Sequence, residues 1–142
     1  MRVRGVHHIA VAVRNLEESL SRWAVLFGAR RSTIEELPER GVRLAHLRFV
    51  EGPEIELIEP LGDASPVAKF LESRGEGIQH FTFEVDDIAK AMRDLSRAGL
   101  KFVSDAPQKG AEGDLVAFVH PKCLNGVLVE LRQGRPSGGE KS

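Results

Sequence analysis

Two segments of the chain alternate between large apolar residues and small or polar ones: GVHHIAVAV at residues 5–13 and GIQHFTFEV at 77–85. A period of two is typical of a β-strand with one buried face. His8 and His80 fall on the small and polar face of their strands. After each strand comes a residue type that often starts a helix, Asn15 in the first case and Asp87 in the second. Apolar residues then recur at helical spacing. Each half of the chain is therefore predicted to begin with a strand and an amphipathic helix that covers the strand's apolar face.

The two halves align without a gap at an offset of 72 residues, which places Gly5 on Gly77 and His8 on His80. A short helix is predicted to connect them over 63–74, with Ser65 as its cap. Further strand-like segments follow the first helix of each half, at 30–36, 42–50 and 54–59 and at 101–104, 115–119 and 126–131. The chain thus repeats one β-α-β-β-β unit.

This order predicts an α+β fold of two tandem β-α-β-β-β modules, which form a curved mixed sheet around a metal-containing cleft with the helices outside. The predicted boundaries are 1–62 for the first module, 63–76 for the connecting helix and linker, and 77–132 for the second module. Residues 133–142 are rich in Gly, Ser and charge, and they are predicted to be a disordered tail. A concave, duplicated interface of this kind is where ligand sites tend to lie.

Composition removes several classes of partner. The 142 residues carry a formal net charge of −1, whereas nucleic-acid binding requires a concentrated basic surface. No apolar run approaches the roughly 18 residues of a membrane span, and the first residues show no secretory signal. Cys123 is the one cysteine, so no internal disulfide can form. We therefore expect a cytoplasmic protein that binds neither nucleic acid nor membrane.

Each half also carries one glutamate among the apolar residues of its last strand, Glu56 in EIELIE and Glu130 in VLVELR. Glu56 follows His8 by 48 residues, and Glu130 follows His80 by 50. Imidazole and carboxylate together suit a divalent cation such as Co²⁺, Ni²⁺, Mn²⁺, Fe²⁺ or Zn²⁺. A lone histidine on a strand is more often structural, and a glutamate can simply face solvent at a sheet edge. The recurrence of both residues in both halves favours a metal site.

The remaining histidines and the cysteine give weaker signals. His7 is expected on the helix-covered face, and His46 is expected to be a packed or surface residue in mid-strand. His120, in HPK, ends a strand, and Cys123 has no base at a spacing that would make its thiol a nucleophile. Lys69 and Lys122 are candidates for holding an anionic ligand, although solvated lysines are common.

Four segments carry a family resemblance: PERGV at 38–42, IELIEPLGDASPVAKFL at 55–71, RGEGIQHFTFEVDDI at 74–88 and VAFVHPKCLNGVLVEL at 116–131. With them the chain resembles the vicinal oxygen chelate (glyoxalase I-like) superfamily, and within it the methylmalonyl-CoA epimerases. The resemblance implies metal ligands at His8, Glu56, His80 and Glu130. Many members have a second histidine where this chain has Gln79, a difference expected to matter little because residue 79 should point to the opposite strand face.

The resemblance implies an isomerase that interconverts (2R)- and (2S)-methylmalonyl-CoA by 1,1-proton transfer through a metal-stabilised enediolate. Glu130 is then both ligand and proton carrier. Leu44 stands where some members have a second proton-transfer carboxylate, which leaves Glu39, Glu56 or a metal-bound water for that role.

The resemblance also concerns partners and rival functions. Lys69, His120 and Lys122 are weak candidates for contacts with the acyl-CoA thioester, and the family commonly forms homodimers. The alternative enzymes are a glyoxalase I-type lyase, which acts on a glutathione hemithioacetal, and a ring-cleaving dioxygenase, which prefers a single carboxylate. A non-catalytic small-molecule-binding protein of the same fold would need no ligand quartet.

Overall fold

The computed structural model describes residues 1–134, which contain three α-helices and nine β-strands. The helices are α1 (Leu16–Phe27), α2 (Pro66–Arg74) and α3 (Ile88–Arg97). The strands are β1 (Val3–Ala12), β2 (Arg30–Arg31), β3 (Glu35–Leu37), β4 (Val42–Arg48), β5 (Glu54–Pro60), β6 (Gly77–Val85), β7 (Gln108–Lys109), β8 (Leu115–Val119) and β9 (Val129–Gln133). The α+β class predicted from the sequence is confirmed.

The chain divides into two compact units, one of residues 7–81 and one of residues 1–6 with those from 82 onward. In the unit of residues 7–81, the strand order is β2-β4-β5-β1-β6, and β3 pairs with β4. β1 runs parallel to β5, and β4 runs antiparallel to β5, so the sheet is mixed as predicted. Helix α1 packs on this sheet through a core of Val13, Leu16, Leu20, Ala45, Leu47 and Leu57.

In the other unit the strand order is β6-β9-β8-β7, and β8 runs antiparallel to both of its neighbours. Helix α3 covers this sheet through a core of Val85, Ile88, Ala91, Met92, Ala117 and Leu131. The first residues of the chain join this unit because Arg2 and Asp86 exchange backbone and side-chain hydrogen bonds. The amino group of Met1 also lies 3.3 Å from the Asp94 carboxylate. The module boundaries inferred from the repeat stay a prediction.

The local geometry of the repeat recurs in both halves. Asn15 accepts a hydrogen bond from the backbone N–H of Glu18, and Asp87 accepts one from that of Lys90, so each caps its helix with a side-chain oxygen. Gly5 and Gly77 both have positive φ, at 138° and 158°, and a side chain at either position would be strained. Aligned residues of the two halves thus have the same structural role, as helix caps or as glycines with positive φ.

Two predicted strands are broken up in the structure, and two others have shifted ends: the strand predicted at 42–50 ends at Arg48, and the one predicted at 126–131 begins at Val129. The segment 30–36 is split into β2 and β3, because the Ser32 hydroxyl bonds the Thr33 carbonyl and the strand pairing is interrupted there. The segment 101–104 keeps only an isolated bridge from Phe102 to Val119. Ser104 instead bonds the Ala106 carbonyl ahead of a proline, and the paired strand follows at β7.

The end of the chain also differs. β9 extends to Gln133, whose side-chain oxygen accepts a hydrogen bond from the N–H of Ile88 at the start of α3. The predicted tail at 133–142 is therefore wrong at its first residue, while residues 135–142 lie outside the described part of the chain.

No helix within residues 1–134 combines the length and apolar character needed to cross a bilayer.

Candidate metal centre

The two histidines singled out from the repeat lie near each other in the unit of residues 7–81. His8 is on β1 and His80 on β6, and their ring centroids are 5.9 Å apart. Both are buried, with 5% and 2% of their surface exposed. Two imidazoles this close and this well buried are placed well for sharing a ligand.

Glu56 belongs to the same cluster of side chains. It lies on β5, where its backbone pairs in register with Ala10 of β1. Its carboxylate Oε2 lies 3.5 Å from Nε2 of His8 and 3.1 Å from Nε2 of His46, and only 4% of its surface is exposed. The sequence therefore placed Glu56 correctly beside His8, and the alternative of a solvent-facing glutamate is wrong.

The electrostatic environment keeps Glu56 ionised. Burial acts to raise the pKa of its carboxyl, but the charge of His8, the hydrogen bond from His46 and the charge of His80 outweigh burial and lower the pKa below its ordinary value. The ionised carboxylate is the form in which glutamate binds a cation.

Both candidate histidines are held at Nδ1 by the residue that precedes them. His7 and His8 lie 2.8 Å apart at their Nδ1 atoms, and Nδ1 of His80 lies 2.7 Å from Oε1 of Gln79. The expectation that the side chain of residue 79 points away from His80 is wrong, because Oε1 of Gln79 lies within hydrogen-bond distance of the His80 ring. A ring whose Nδ1 is hydrogen-bonded presents Nε2 as its ligand atom.

Glu130 lies in the other unit, on β9. Its side chain is 2% exposed, and its Oε1 accepts a 2.6 Å hydrogen bond from the hydroxyl of Thr82, which is fully buried. Thr82 follows His80 by two residues on β6, so the two side chains fall on the same face of that strand. Sequence reasoning gave Thr82 no role, although its place on the polar face of β6 was a signal for one.

The weaker candidates lie at the surface. Lys69 is exposed on α2, and Lys122 is exposed in a short 3₁₀ helix. His120 is exposed as well, and its Nδ1 accepts a hydrogen bond from the N–H of Lys122, so it caps that helix. Glu39 is exposed, whereas Leu44 is buried in β4.

His46 is the functional candidate that the sequence analysis missed. It is 4% exposed, its ring lies 5.8 Å from that of His8, and it contacts Glu56. The available signal was the β4–β5 pairing, since an antiparallel register that sets His46 opposite Glu56 puts both on one face. That register cannot be read from the chain until the turn between the strands is known.

The donor set fits a metal ion. Two imidazoles and a carboxylate, all buried within one unit, are the ligand types that first-row divalent cations take in proteins. His7 contacts Nδ1 of His8, Gln79 contacts Nδ1 of His80, and His46 contacts Oε2 of Glu56. Hydrogen bonds of this kind usually orient metal-binding side chains.

Comparison with known proteins places this geometry in context. Residues 7–118 match the family profile described as "Glyoxalase/Bleomycin resistance protein/Dioxygenase superfamily". The chain is 40% identical over 129 residues to the mitochondrial methylmalonyl-CoA epimerase of Dictyostelium discoideum, a match that covers 90% of this chain and 77% of the relative.

Solved structures agree with the sequence match. The crystal structure of methylmalonyl-CoA epimerase from Mycobacterium tuberculosis superposes with a TM-score of 0.91 at 32% identity, over 94% of this chain and 90% of that one. A structure of methylmalonyl-CoA epimerase in complex with methylmalonyl-CoA and NH₄⁺ superposes with a TM-score of 0.92 at 28% identity, over 99% of this chain and all of that one.

Proposed function

Since the chain belongs to the methylmalonyl-CoA epimerase family of the glyoxalase/bleomycin resistance protein/dioxygenase superfamily, we propose that it is a metal-dependent isomerase. Its substrates are (2R)- and (2S)-methylmalonyl-CoA, interconverted by 1,1-proton transfer. The observation that carries the proposal is the buried group of His8, His80 and Glu56, on a fold matched along its length by an epimerase structure that contains methylmalonyl-CoA.

The proposed ligands are His8, Glu56, His80 and Glu130. All four are buried, and His8, His80 and Glu130 are each able to offer one ligand atom to an ion. A divalent cation bound there would supply positive charge that stabilises the negative charge on the substrate's oxygens as its α-proton leaves. Co²⁺ is the proposed ion, because the nitrogen and oxygen donors suit it, and Mn²⁺, Ni²⁺, Zn²⁺ and Fe²⁺ are the alternatives.

Glu130 is the proposed proton carrier. The α-proton of methylmalonyl-CoA lies between a thioester and a carboxylate and is weakly acidic, so a positioned carboxylate can remove it. The Thr82 hydroxyl donates a hydrogen bond to Oε1 of Glu130, which fixes the orientation of the carboxylate. Burial excludes water that would otherwise compete for this group.

Glu56 is the proposed second proton-transfer group. Epimerisation needs a proton removed from one face of the carbon and returned to the other. Glu56 is buried and held by His46, whereas the other glutamate considered, Glu39, is exposed on a 3₁₀ helix. Leu44 offers no proton at the position where some family members have a carboxylate.

Lys69, His120 and Lys122 are proposed contacts for the coenzyme A part of the substrate. Two of them are exposed cations, which suit phosphate groups, and His120 has a polar ring at the surface. Replacing both lysines with glutamine should raise KM for methylmalonyl-CoA and leave kcat nearly unchanged, because contacts far from the reacting carbon contribute uniform binding.

The cytoplasm is the proposed compartment, since Cys123 needs no oxidising environment. A homodimer is the proposed assembly. Its support is the exposed apolar end of α1, where Val25, Leu26 and Phe27 are 82%, 59% and 63% exposed. Light scattering coupled to size exclusion tests the assembly, and a mass of one chain would contradict it.

The test of function is incorporation of solvent deuterium into methylmalonyl-CoA. The metal-loaded protein should exchange the α-proton, and both Glu130→Gln and treatment with a chelator should abolish the exchange. Glu51→Gln, at an exposed glutamate outside the site, is the matched control and should exchange like the unmodified protein. Turnover of a glutathione hemithioacetal in place of methylmalonyl-CoA would establish the lyase alternative.

A further inference from the structure

His46 faces Glu56 directly across the β4–β5 pair. The two residues are opposite each other in the antiparallel register, and His46 Nε2 lies 3.1 Å from Oε2 of Glu56. Both side chains are about 4% exposed. Because an ionised carboxylate only accepts hydrogen bonds, Nε2 of His46 carries the hydrogen and donates it.

The backbone of His46 is fixed on its outer side. Its N–H donates to the hydroxyl of Ser32 at 2.8 Å, and its carbonyl accepts from the N–H of Ser32 at 2.9 Å. With the backbone held at two points and the ring buried, the imidazole has little room to change rotamer. The hydrogen bond to Glu56 is therefore a fixed feature of this part of the sheet.

The two halves of the chain differ in where this donor comes from. Glu56 lies in register with Ala10 on one side and His46 on the other, and alanine has no side-chain donor. Glu130 lies in register with Phe118, which has no donor, and receives its hydrogen bond from Thr82 instead. The hydrogen bonds to the two glutamates thus come from different flanking strands, from His46 of β4 to Glu56 and from Thr82 of β6 to Glu130.

We propose that His46 is a positioning residue that holds the Glu56 carboxylate in place as a metal ligand. This inference rests on the proposed metal site. A hydrogen bond to Oε2 fixes the rotamer of the Glu56 side chain, and with it the direction from which the carboxylate approaches the ion. Without the donor, the Glu56 carboxylate is free to adopt other rotamers. Binding the ion then has to fix the rotamer, and this entropic cost weakens metal affinity.

The experiment compares two substitutions of similar volume, His46→Gln and His46→Met. Glutamine keeps an N–H donor near the position of Nε2, whereas methionine has none. Leu47→Val, in the core on the opposite face of β4, is the control for a general loosening of the strand. Co²⁺ affinity is measured by calorimetry on chelator-treated protein, and the visible absorption of bound Co²⁺ reports its ligand geometry.

The expected result is that His46→Met weakens Co²⁺ binding by about 10- to 100-fold and changes the absorption spectrum, while His46→Gln and Leu47→Val stay within about threefold of the unmodified protein on the same scale. Thermal unfolding of the metal-free variants checks that each is folded. Equal affinities of the methionine and glutamine variants would overturn the positioning role and leave the metal site standing. Failure of the unmodified protein to bind Co²⁺ would overturn both proposals.

Discussion

At the scale of single residues, the site consists of buried polar side chains, and each of them is oriented by a hydrogen bond with a neighbouring side chain. Thr82 holds Glu130, His46 holds Glu56, and Gln79 holds His80. Burying a charged group without a partner is costly, so such contacts decide which rotamer the group adopts. The ligand types can be read from the sequence, but their orienting partners depend on side-chain geometry.

Thr82→Val tests the contact to Glu130. Valine keeps the shape of the threonine but removes the hydroxyl, so we expect kcat for epimerisation to fall about 10- to 100-fold. KM for methylmalonyl-CoA should change less, because the hydroxyl acts on the proton carrier. Thr82→Ser retains the donor and should keep most of kcat. A Thr82→Val protein with normal kcat would show that Glu130 needs no help from this hydroxyl.

Gln79→Leu tests the contact to His80. In the unmodified protein, Nδ1 of His80 donates to Oε1 of Gln79, which fixes the tautomer with hydrogen on Nδ1. Nitrogen NMR of the metal-free protein should show that tautomer, and Gln79→Leu should show a mixture of both. The same mixture in the unmodified protein would mean that Gln79 does not orient the ring.

His8 and His46 show which site residues can be predicted from the sequence and which cannot. His8 stands out in the sequence because it recurs as His80 after 72 residues, and Glu56 recurs as Glu130 after 74. His46 has no counterpart, since Phe118 occupies the equivalent register position against Glu130. A feature that breaks the repeat is invisible to reasoning based on the repeat, and its partner depends on a strand register that no local pattern fixes.

At the scale of elements, the capped helices were predicted well and the short strands poorly. Asn15 and Asp87 cap α1 and α3 by local contacts within four residues, so their signal is contained in the sequence. The two-residue strands β2 and β7 depend instead on which distant strand lies beside them. Pairing between distant segments decides such strands, and composition does not.

Arg43 links three secondary-structure elements, and the pH dependence of stability can test this link. From β4 it donates to Glu17 at the start of α1 and to Glu59 on β5. The hydrogen bond and charge of Arg43 lower the pKa of Glu17 below its ordinary value of 4.5. A lowered pKa contributes stability above the ordinary value, and this stability is lost as the pH falls through the lowered folded-state pKa.

Arg43→Gln should therefore destabilise the protein more at pH 7 than at an acid pH low enough to protonate Glu17 in the folded protein. Urea unfolding at the two pH values measures the difference, and added salt should reduce it because Glu17 is exposed. An equal loss of stability at both pH values would assign the effect of Arg43 to packing alone.

At the scale of the whole molecule, function is proposed to depend on duplication. Each repeat offers one histidine and one glutamate on its polar strand face, and one repeat alone supplies half of the proposed ligand set. The duplication itself could be read from the sequence, because equivalent caps and glycines recur at the same offset. The division into compact units could not, since it depends on contacts of the first six residues.

Metal binding should stabilise the folded chain as a whole. An ion that binds only the native state at one hundred times its Kd contributes about 2.7 kcal/mol, and for a domain of this size Tm should rise by about 5–10 °C. Differential scanning calorimetry of chelator-treated protein, with and without Co²⁺, measures the shift. His8→Ala should remove most of it, and an unchanged Tm on adding Co²⁺ to the unmodified protein would contradict native-state binding.

The most direct test of the account is a metal titration of the catalysed exchange. Chelator-treated protein is supplied with Co²⁺ in steps, and deuterium incorporation into methylmalonyl-CoA is followed at each step. The account predicts no exchange without metal, a linear rise on addition, and saturation at one ion per chain. Full exchange by the metal-free protein, or none at saturating metal, would contradict it.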